Sequence, residues 1–481
     1  MRLNSVDEIR VRKWWVLANI SVGTFMSTLD GSIANVALPT ISQNLHVALH
    51  MVQWVVTAYL LTISAVLPLV GRLADMWGRG RLYNIGFLVF ALGSAMCSLS
   101  PSIGALIAFR ILQALGAALL MANSQALVVT TFPPEQRGRA FGITGSMVSL
   151  GMLTGPSIGG ILIGYLGWQS IFWVNIPIGI AGFVLGLFLL PKHKGSGSAK
   201  DFDYAGSVLF IVGIVGLLYT ISNGETWAWG SAKTVVGLIL ATVILIAFGF
   251  RERLARSPMI DFSLYRNWTL STASLAAILT FVSLFSITTL MPFYLEDVLH
   301  ASPQLTGLTM MANPLAMAVV APLSGWMSDK IGPYILTTGG LLLNALGFVL
   351  LNLLSPSVAI WVVGFHLAIF GVGQGMFQSP NNSSIMAAAP RSKVGLVGGL
   401  NALIRNIGMV IGISLSVSAF SIRLHTITGK VFAGVPANLS TGVFMSALHT
   451  VFWIAAGICV AGAVSSGLRF GAPTKIVGKA L

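Results

Sequence analysis

The sequence predicts an all-α membrane protein of fourteen transmembrane helices, arranged as six, two and six. Three observations carry that prediction. Only 8% of the 481 residues are charged and 55% are hydrophobic, with a mean hydropathy of +0.87, whereas a soluble domain carries about 25% charged residues. Apolar runs long enough to span a bilayer, about 20 residues each, recur along the whole chain. A set of glycine-bearing motifs also repeats in constant register and divides those runs into two copies.

The runs fall at 14–38, 51–72, 81–100, 103–125, 138–163 and 168–190, then 204–222 and 233–250, then 268–295, 306–327, 334–354, 358–380, 395–420 and 446–468. The first follows a basic start, as in a signal peptide. It is too long for one and lacks a small-residue cleavage site, so it reads as an uncleaved span. The longest connections are 191–203 (PKHKGSGSAKDFD), 251–267 and a stretch near 421–445, all too short for a folded soluble domain. Gly71-x-x-x-Asp75-x-x-Gly78 recurs as Gly325-x-x-x-Asp329-x-x-Gly332. Gly116, Gly138, Gly142, Gly151 and Gly155 recur, in order, as Gly373, Gly395, Gly399, Gly408 and Gly412. The copies lie further apart than six spans require, and the two spans between 204 and 250 account for the excess as an insertion. The expected units are 14–190, a six-helix half; 191–267, the inserted helix pair with its linkers; and 268–470, the second half. Parallel six-helix halves are a plan of secondary transporters, with the binding site between the halves near the midplane.

The formal net charge is +14. When loops are assigned alternately to two sides, one side receives Arg2, Arg10, Arg12, Lys13, Arg72, Arg79, Arg81, Arg137, Arg139, Lys192, Lys194, Lys200, Arg251, Arg253, Arg256, Arg266, Lys330, Arg391, Lys393, Arg469, Lys475 and Lys479. The other receives only Lys233, Arg423 and Lys430. The positive-inside rule then puts both termini in the cytoplasm, and the protein is expected in the cytoplasmic (inner) membrane. Topology accounts for the basic excess, and a nucleic-acid partner is not expected. Cys97 and Cys459 lie in apolar runs and read as buried small hydrophobes. The chain has neither the spacing of a metal site nor a G-x-x-x-x-G-K-[ST] phosphate loop, so no metal or cofactor is implied.

Ionisable groups inside spans are costly and mark function by default. Asp30 lies roughly 24 Å along the first helix, as either a proton carrier or a charge that ties helices together. Arg110 falls near the middle of the fourth span and calls for a partner, most simply Asp30, directly or through Gln113 or water. Arg405, beside Asn406 in the thirteenth span, either pairs with Asp30 across the cavity or meets an anionic group of a substrate. His366 reads as a core histidine or a second proton site. Glu296, next to Asp297 at the outer end of the ninth span, reads as a solvated rim or a second proton or cation site. Asn35, Trp54, Tyr59, Phe281 and Phe285 are candidates to line a cavity, although aromatics in such runs also face lipid.

Four stretches resemble the major facilitator superfamily. GRLADMWGRGRL (71–82) resembles the signature between its second and third helices, and RILQALGAAL (110–119) the arginine motif of helix 4. GMLTGPSIGG (151–160) matches the helix 5 motif of its antiporters at Gly151, Gly155, Pro156, Gly159 and Gly160. LDGSIANVALP (29–39) resembles the helix 1 motif of the fourteen-helix drug:proton antiporter branch. Gln169, Ser170 and Glu296 depart from the usual residues, and the second loop signature, GWMSDKIGP, lacks trailing arginines. The resemblance implies the major facilitator fold, a monomer in the lipid bilayer and a transporter rather than an enzyme. It further implies export of small amphipathic compounds (drugs, dyes, antiseptics or a natural product) in exchange for protons, with Asp30 and Arg110 serving coupling. The 151–160 face would be a tight seam between the halves that blocks leakage. Gly71, Asp75, Gly78, Arg79 and Arg81 would form a cytoplasmic latch for the outward-facing state. Two alternatives stay open: a proton-coupled importer or exporter of one metabolite, and an intramembrane enzyme, for which no cluster of catalytic side chains is visible.

Overall fold

A computed structural model describes residues 13–47, 49–191, 203–255, 258–429 and 439–469. Within these the chain is helical throughout, as a backbone in lipid must be when water cannot satisfy its polar groups. The long helices are α1 (Lys13–Asn44), α2 (Trp54–Trp77), α3 (Arg79–Ser98), α4 (Ile103–Thr131), α5 (Arg137–Leu166), α6 (Asn175–Leu189), α7 (Tyr204–Trp227), α8 (Ala232–Leu254), α9 (Trp268–Phe293), α10 (Ala312–Ile331), α11 (Pro333–Asn352), α12 (Ile360–Ala387), α13 (Val394–Thr428) and α14 (Thr441–Gly467). Their ends follow local chemistry. The Ser102, Ser231 and Asn267 side chains accept from backbone N–H groups at the starts of α4, α8 and α9, filling orphan donors. Gly78 and Gly332, repeat mates, end α2 and α10 at φ of 103° and 83°, a conformation glycine alone adopts without strain. That is why the repeated motif closes on glycine.

Twelve of these helical stretches are long and apolar enough to cross a membrane, or thirteen if the two parts of α5 form one bent span. The expected count of fourteen apolar spans is not reached. The 32-residue α1 is long enough, but Asn19, Ser21, Thr24, Ser27, Thr28, Asp30, Ser32 and Asn35 lower its hydropathy. The basic residues at Arg2, Arg10, Arg12, Lys192, Lys194, Lys200, Arg256, Lys430, Lys475 and Lys479 lie outside the described residues.

The main packing contacts of α1–α6 have counterparts in α9–α14: α1 on α5 and α9 on α13, α3 on α4 and α11 on α12, α3 on α6 and α11 on α14. Between the sets, α5 packs on α10 and α13 packs on α2. Glycines set several of these approaches. A Cβ on Gly116 would lie 2.4 Å from the Phe90 nitrogen of α3, and one on Gly373 would lie 2.7 Å from the Gly340 oxygen of α11. Helix α7 pairs with α8 and leans on α2 and α13. Val236, Ile239, Leu240, Val243 and Phe250 of α8 are exposed, as suits a lipid-facing helix.

Candidate functional site

Asp30 sits near the middle of α1 and is fully buried. Arg110 and Gln113, three apart on one face of α4, reach it together. The Arg110 Nη1 donates to Asp30 Oδ2 at 2.7 Å and to Gln113 Oε1 at 2.7 Å. Gln113 Nε2 donates to Asp30 Oδ1 and Ser94 Oγ, each at 2.8 Å. Asn175, opening α6, donates through Nδ2 to Asp30 Oδ1 at 2.9 Å. Arg110 Nε donates to the Val55 carbonyl at 3.1 Å, and its guanidinium lies 4.0 Å from the Tyr59 ring centre and 5.7 Å from that of Phe172. Gly93 lets α3 come this close, since a Cβ there would lie 2.6 Å from the Gln113 Cα. Five helices of one set thus converge on a single carboxylate.

A buried charge left alone costs several kcal/mol, and its counter-charge offsets that cost only with good geometry. Here the pair is neutral overall and the carboxylate accepts from three side chains. A proton on either oxygen would cancel the counter-charge of Arg110 and compete with an N–H already in place.

The other candidates are placed differently. Arg405 does not pair with Asp30, whose oxygens are taken, and its guanidinium has no hydrogen-bond, ion-pair or ring partner among the described residues. Asn406 is buried with Nδ2 unpartnered. His366 is half-buried with Nδ1 unpartnered. Glu296 and Asp297 are exposed in a π-helical turn, Tyr294–Val298, after α9. Asn35 is exposed and donates to the Gly31 carbonyl of its own helix at 3.2 Å. Trp54 packs on Tyr219 of α7, with ring centres 5.5 Å apart. Phe281 and Phe285 fill the α9–α13 contact, against Gly408 and Gly412. Of the aromatic candidates, Tyr59 alone stacks at the charged cluster.

The small-residue face of α5 also differs from expectation. Cβ atoms on Gly151, Gly155 and Gly159 would meet Thr28, Ser32 and Ile33 of α1, so these glycines pack within one helix set and not between sets. Gly160 has nothing within 4 Å, and the Pro156 side chain lies outside the described residues. The helix bends by 40° between Pro134–Gly155 and Ile158–Leu166. The inter-set seam is made one stretch earlier. Gly138 and Gly142 face Gly325, Asp329, Ala321 and Pro322 of α10, while Gly395 and Gly399 face Gly71, Asp75, Leu67 and Pro68 of α2.

Two carboxylates hold that seam. Asp75 accepts from the Gly395 and Leu396 N–H groups at 3.0 Å each and pairs with Arg79 at 2.6 Å. Arg79 also donates to the Arg391 carbonyl at 3.0 Å. Asp329 accepts from the Gly138 and Arg139 N–H groups at 2.8 and 3.0 Å. Each thus caps a helix of the opposite set at its positive end. Arg81 is exposed and has no partner among the described residues, so it stands apart from the latch.

A family profile described as the Major Facilitator Superfamily matches residues 20–413. The chain belongs to that superfamily. It is a multi-pass membrane transporter and not an enzyme. It is 37% identical to the riboflavin transporter RibZ of Clostridioides difficile over 94% of this chain and 96% of that one. It is 30% identical to the tetracenomycin C resistance and export protein of Streptomyces glaucescens, over 88% of this chain and 78% of the relative. Identity to the multidrug resistance protein Stp of Mycobacterium tuberculosis is 35%, over 82% and 73%. The structure of the human organic anion transporter TETRAN superposes with a TM-score of 0.65 at 15% identity, over 94% of this chain and 99% of that one, a likeness of fold.

For this superfamily member, the Asp30–Arg110 pairing and the role of Gln113 were legible from isolated charges in apolar runs. Asn175, Ser94 and Phe172 were not singled out. Asn175 left a signal, an amide within the apolar stretch IFWVNIPIG. Asp329 was visible as a repeat of Asp75, but its reach to α5 was not. A further link between the sets, Asn401 Nδ2 to Gln125 Oε1 and Asn382 Oδ1 at 2.9 Å each, joins three polar residues that look unremarkable one by one.

Proposed function

We propose that this transporter exports small amphipathic compounds across the cytoplasmic membrane in exchange for protons, as a monomer with both termini in the cytoplasm. The observation that carries the reading is the sealed Asp30 cluster. An ionised Asp30 holds α1, α4 and α6 together through Arg110, Gln113 and Asn175, and a protonated one leaves Arg110 without a counter-charge. If protonation and substrate favour different helix arrangements, the two flows are coupled. Relatives named for multidrug resistance and for tetracenomycin C export support the direction and the substrate class.

The end closed by Asp75 and Asp329 also carries Arg79, Arg137, Arg139, Lys330, Arg391 and Lys393, and we read it as cytoplasmic and the conformation as outward-facing. Lys13 at the start of α1 bonds to Gln136 at that same end, at 2.6 Å. This supports α1 as a further crossing, and so fourteen spans in units 14–190, 191–267 and 268–470. His366, with its orphaned nitrogen, is the second candidate for a proton, and Glu296 is a rim residue.

A second reading, a transporter of one metabolite, is favoured by the riboflavin transporter, which aligns over nearly the whole chain. The test is transport in proteoliposomes under an imposed pH gradient, comparing wild type with Asp30→Asn across lipophilic cations, neutral drugs, weak acids and riboflavin. Proton flux driven by several amphipathic compounds, and lost in the variant, is expected. Equal gradient-driven flux in the variant removes coupling from Asp30, and flux with riboflavin alone favours the second reading.

A further inference from the structure

Three arginines lie deep among the helices, and two of them are answered by protein. Arg110 has Asp30, Gln113 and the Val55 carbonyl. Arg469 is fully buried and donates to the Ser466 carbonyl and hydroxyl, to Asn381 Oδ1 and to Thr337 Oγ1. Arg405 has nothing. A guanidinium keeps its charge at every accessible pH, and one left unanswered inside a membrane protein is costly.

Its position on α13 shows where the charge looks. Gly398, seven residues earlier and on the same face, touches Ala122 of α4, and Asn401, one turn earlier, bonds to Gln125 of α4 and Asn382 of α12. Gly408 and Gly412, just beyond, touch Phe281 and Val282 of α9. Arg405 therefore sits on the face of α13 that meets both helix sets, and its side chain is half-buried there. Among the described residues no carboxylate pairs with it: Asp30 is saturated, Asp75 and Asp329 are in the latch, and Glu296 and Asp297 are exposed after α9.

We propose that Arg405 is the anion-recognition residue of the transport site and that the transported compounds are amphipathic organic anions. Each would present a planar oxygen pair, such as a carboxylate, to the guanidinium fork, which matches that geometry with two parallel hydrogen bonds. The same uncompensated cation disfavours lipophilic cations. This substrate class rests on the transport reading above but not on proton coupling, so binding without a gradient separates the two.

The probes are fluorescein and rhodamine 6G, which share a xanthene ring and differ in charge. Equilibrium binding is measured to the full-length protein in nanodiscs, for wild type, Arg405→Gln and Arg405→Lys, each checked for monodispersity and thermal unfolding. Wild type should bind fluorescein at least tenfold more tightly than rhodamine 6G. Arg405→Gln should abolish that preference by weakening fluorescein alone, and Arg405→Lys should keep part of it. Equal binding of both dyes by wild type, or equal weakening of both in Arg405→Gln, overturns the proposal. Because no gradient is imposed, the outcome of this binding test does not depend on whether Asp30 couples protons.

Discussion

The two helix sets share one packing skeleton and treat intramembrane charge in opposite ways. In the first set Arg110 is enclosed by a carboxylate, a side-chain amide, a backbone carbonyl and two aromatic rings, and its repeat mate on α12 is the buried Leu367. In the second set Arg405 is left open, and its repeat mate on α5 is Val148, also buried. The residues that repeat are those that let helices touch: Gly71 and Gly325, Gly116 and Gly373, Gly138 and Gly395. Asp75 and Asp329 at the seam repeat as well, but the arginines within the spans do not. Packing therefore belongs to the duplicated scaffold, while chemistry was placed in each set separately. The first set holds an internally balanced ion pair; in the reading proposed above it is a switch, and Arg405 of the second set is a charge that meets a ligand.

That contrast can be broken most directly by removing each arginine. Arg110→Leu leaves the buried Asp30 without its counter-charge and should lower stability by about 3–5 kcal/mol. Much of this should return in Asp30→Asn/Arg110→Leu, read by thermal unfolding as a double-mutant cycle. Arg405→Leu removes a charge with no protein partner and should leave unfolding unchanged or raise it. A loss as large as that of Arg110→Leu would mean a partner exists that the structure does not show.

The seam offers the next largest effect. A Cβ on Gly325 would sit 2.1 Å from the Gly138 carbonyl oxygen, so Gly325→Ala should force α5 and α10 apart and populate the state open at the latch end. Spin-label distances across that end would report it. Gly160→Ala, with open space around it, should leave those distances alone. The two latches come after that. Asp75→Asn and Asp329→Asn each weaken a charge–helix contact worth up to about 2 kcal/mol, and the same distances should shift similarly for each and roughly additively for the pair. An effect from Asp75 alone would show that the symmetric geometry is not symmetric in energy.

The smallest effect concerns Asp261, in the connection to α9, which pairs with Lys393. Partial burial pushes its carboxyl up, but Lys393 and the Ser263 N–H outweigh this and hold it below its ordinary 3.8. A carboxylate held low in the folded state contributes stability at neutral pH and loses it as pH falls through that lowered value. Wild type should therefore lose a small increment of thermal stability below pH 4 that Asp261→Asn lacks, most visibly at low salt.

The sequence by itself determined the membrane-spanning class, the repeat and the meeting of Asp30 with Arg110. The class and the pairing follow from costs that lipid imposes wherever the helices happen to sit, on unsatisfied backbone and on isolated charge, and the repeat is read directly from the register of its motifs. Glycine spacing said equally firmly that helices approach closely at Gly151, Gly155 and Gly159, but it carries no information about which helix arrives. The tertiary structure decided that it is α1 of the same set, that the inter-set seam lies at Gly138 and Gly325, and that Asp329 mirrors Asp75. It also decided that Asn175 completes the carboxylate's shell and that Arg405 is left without a partner. These are facts about distances between segments far apart in the chain, and a local pattern of residue types holds no record of them.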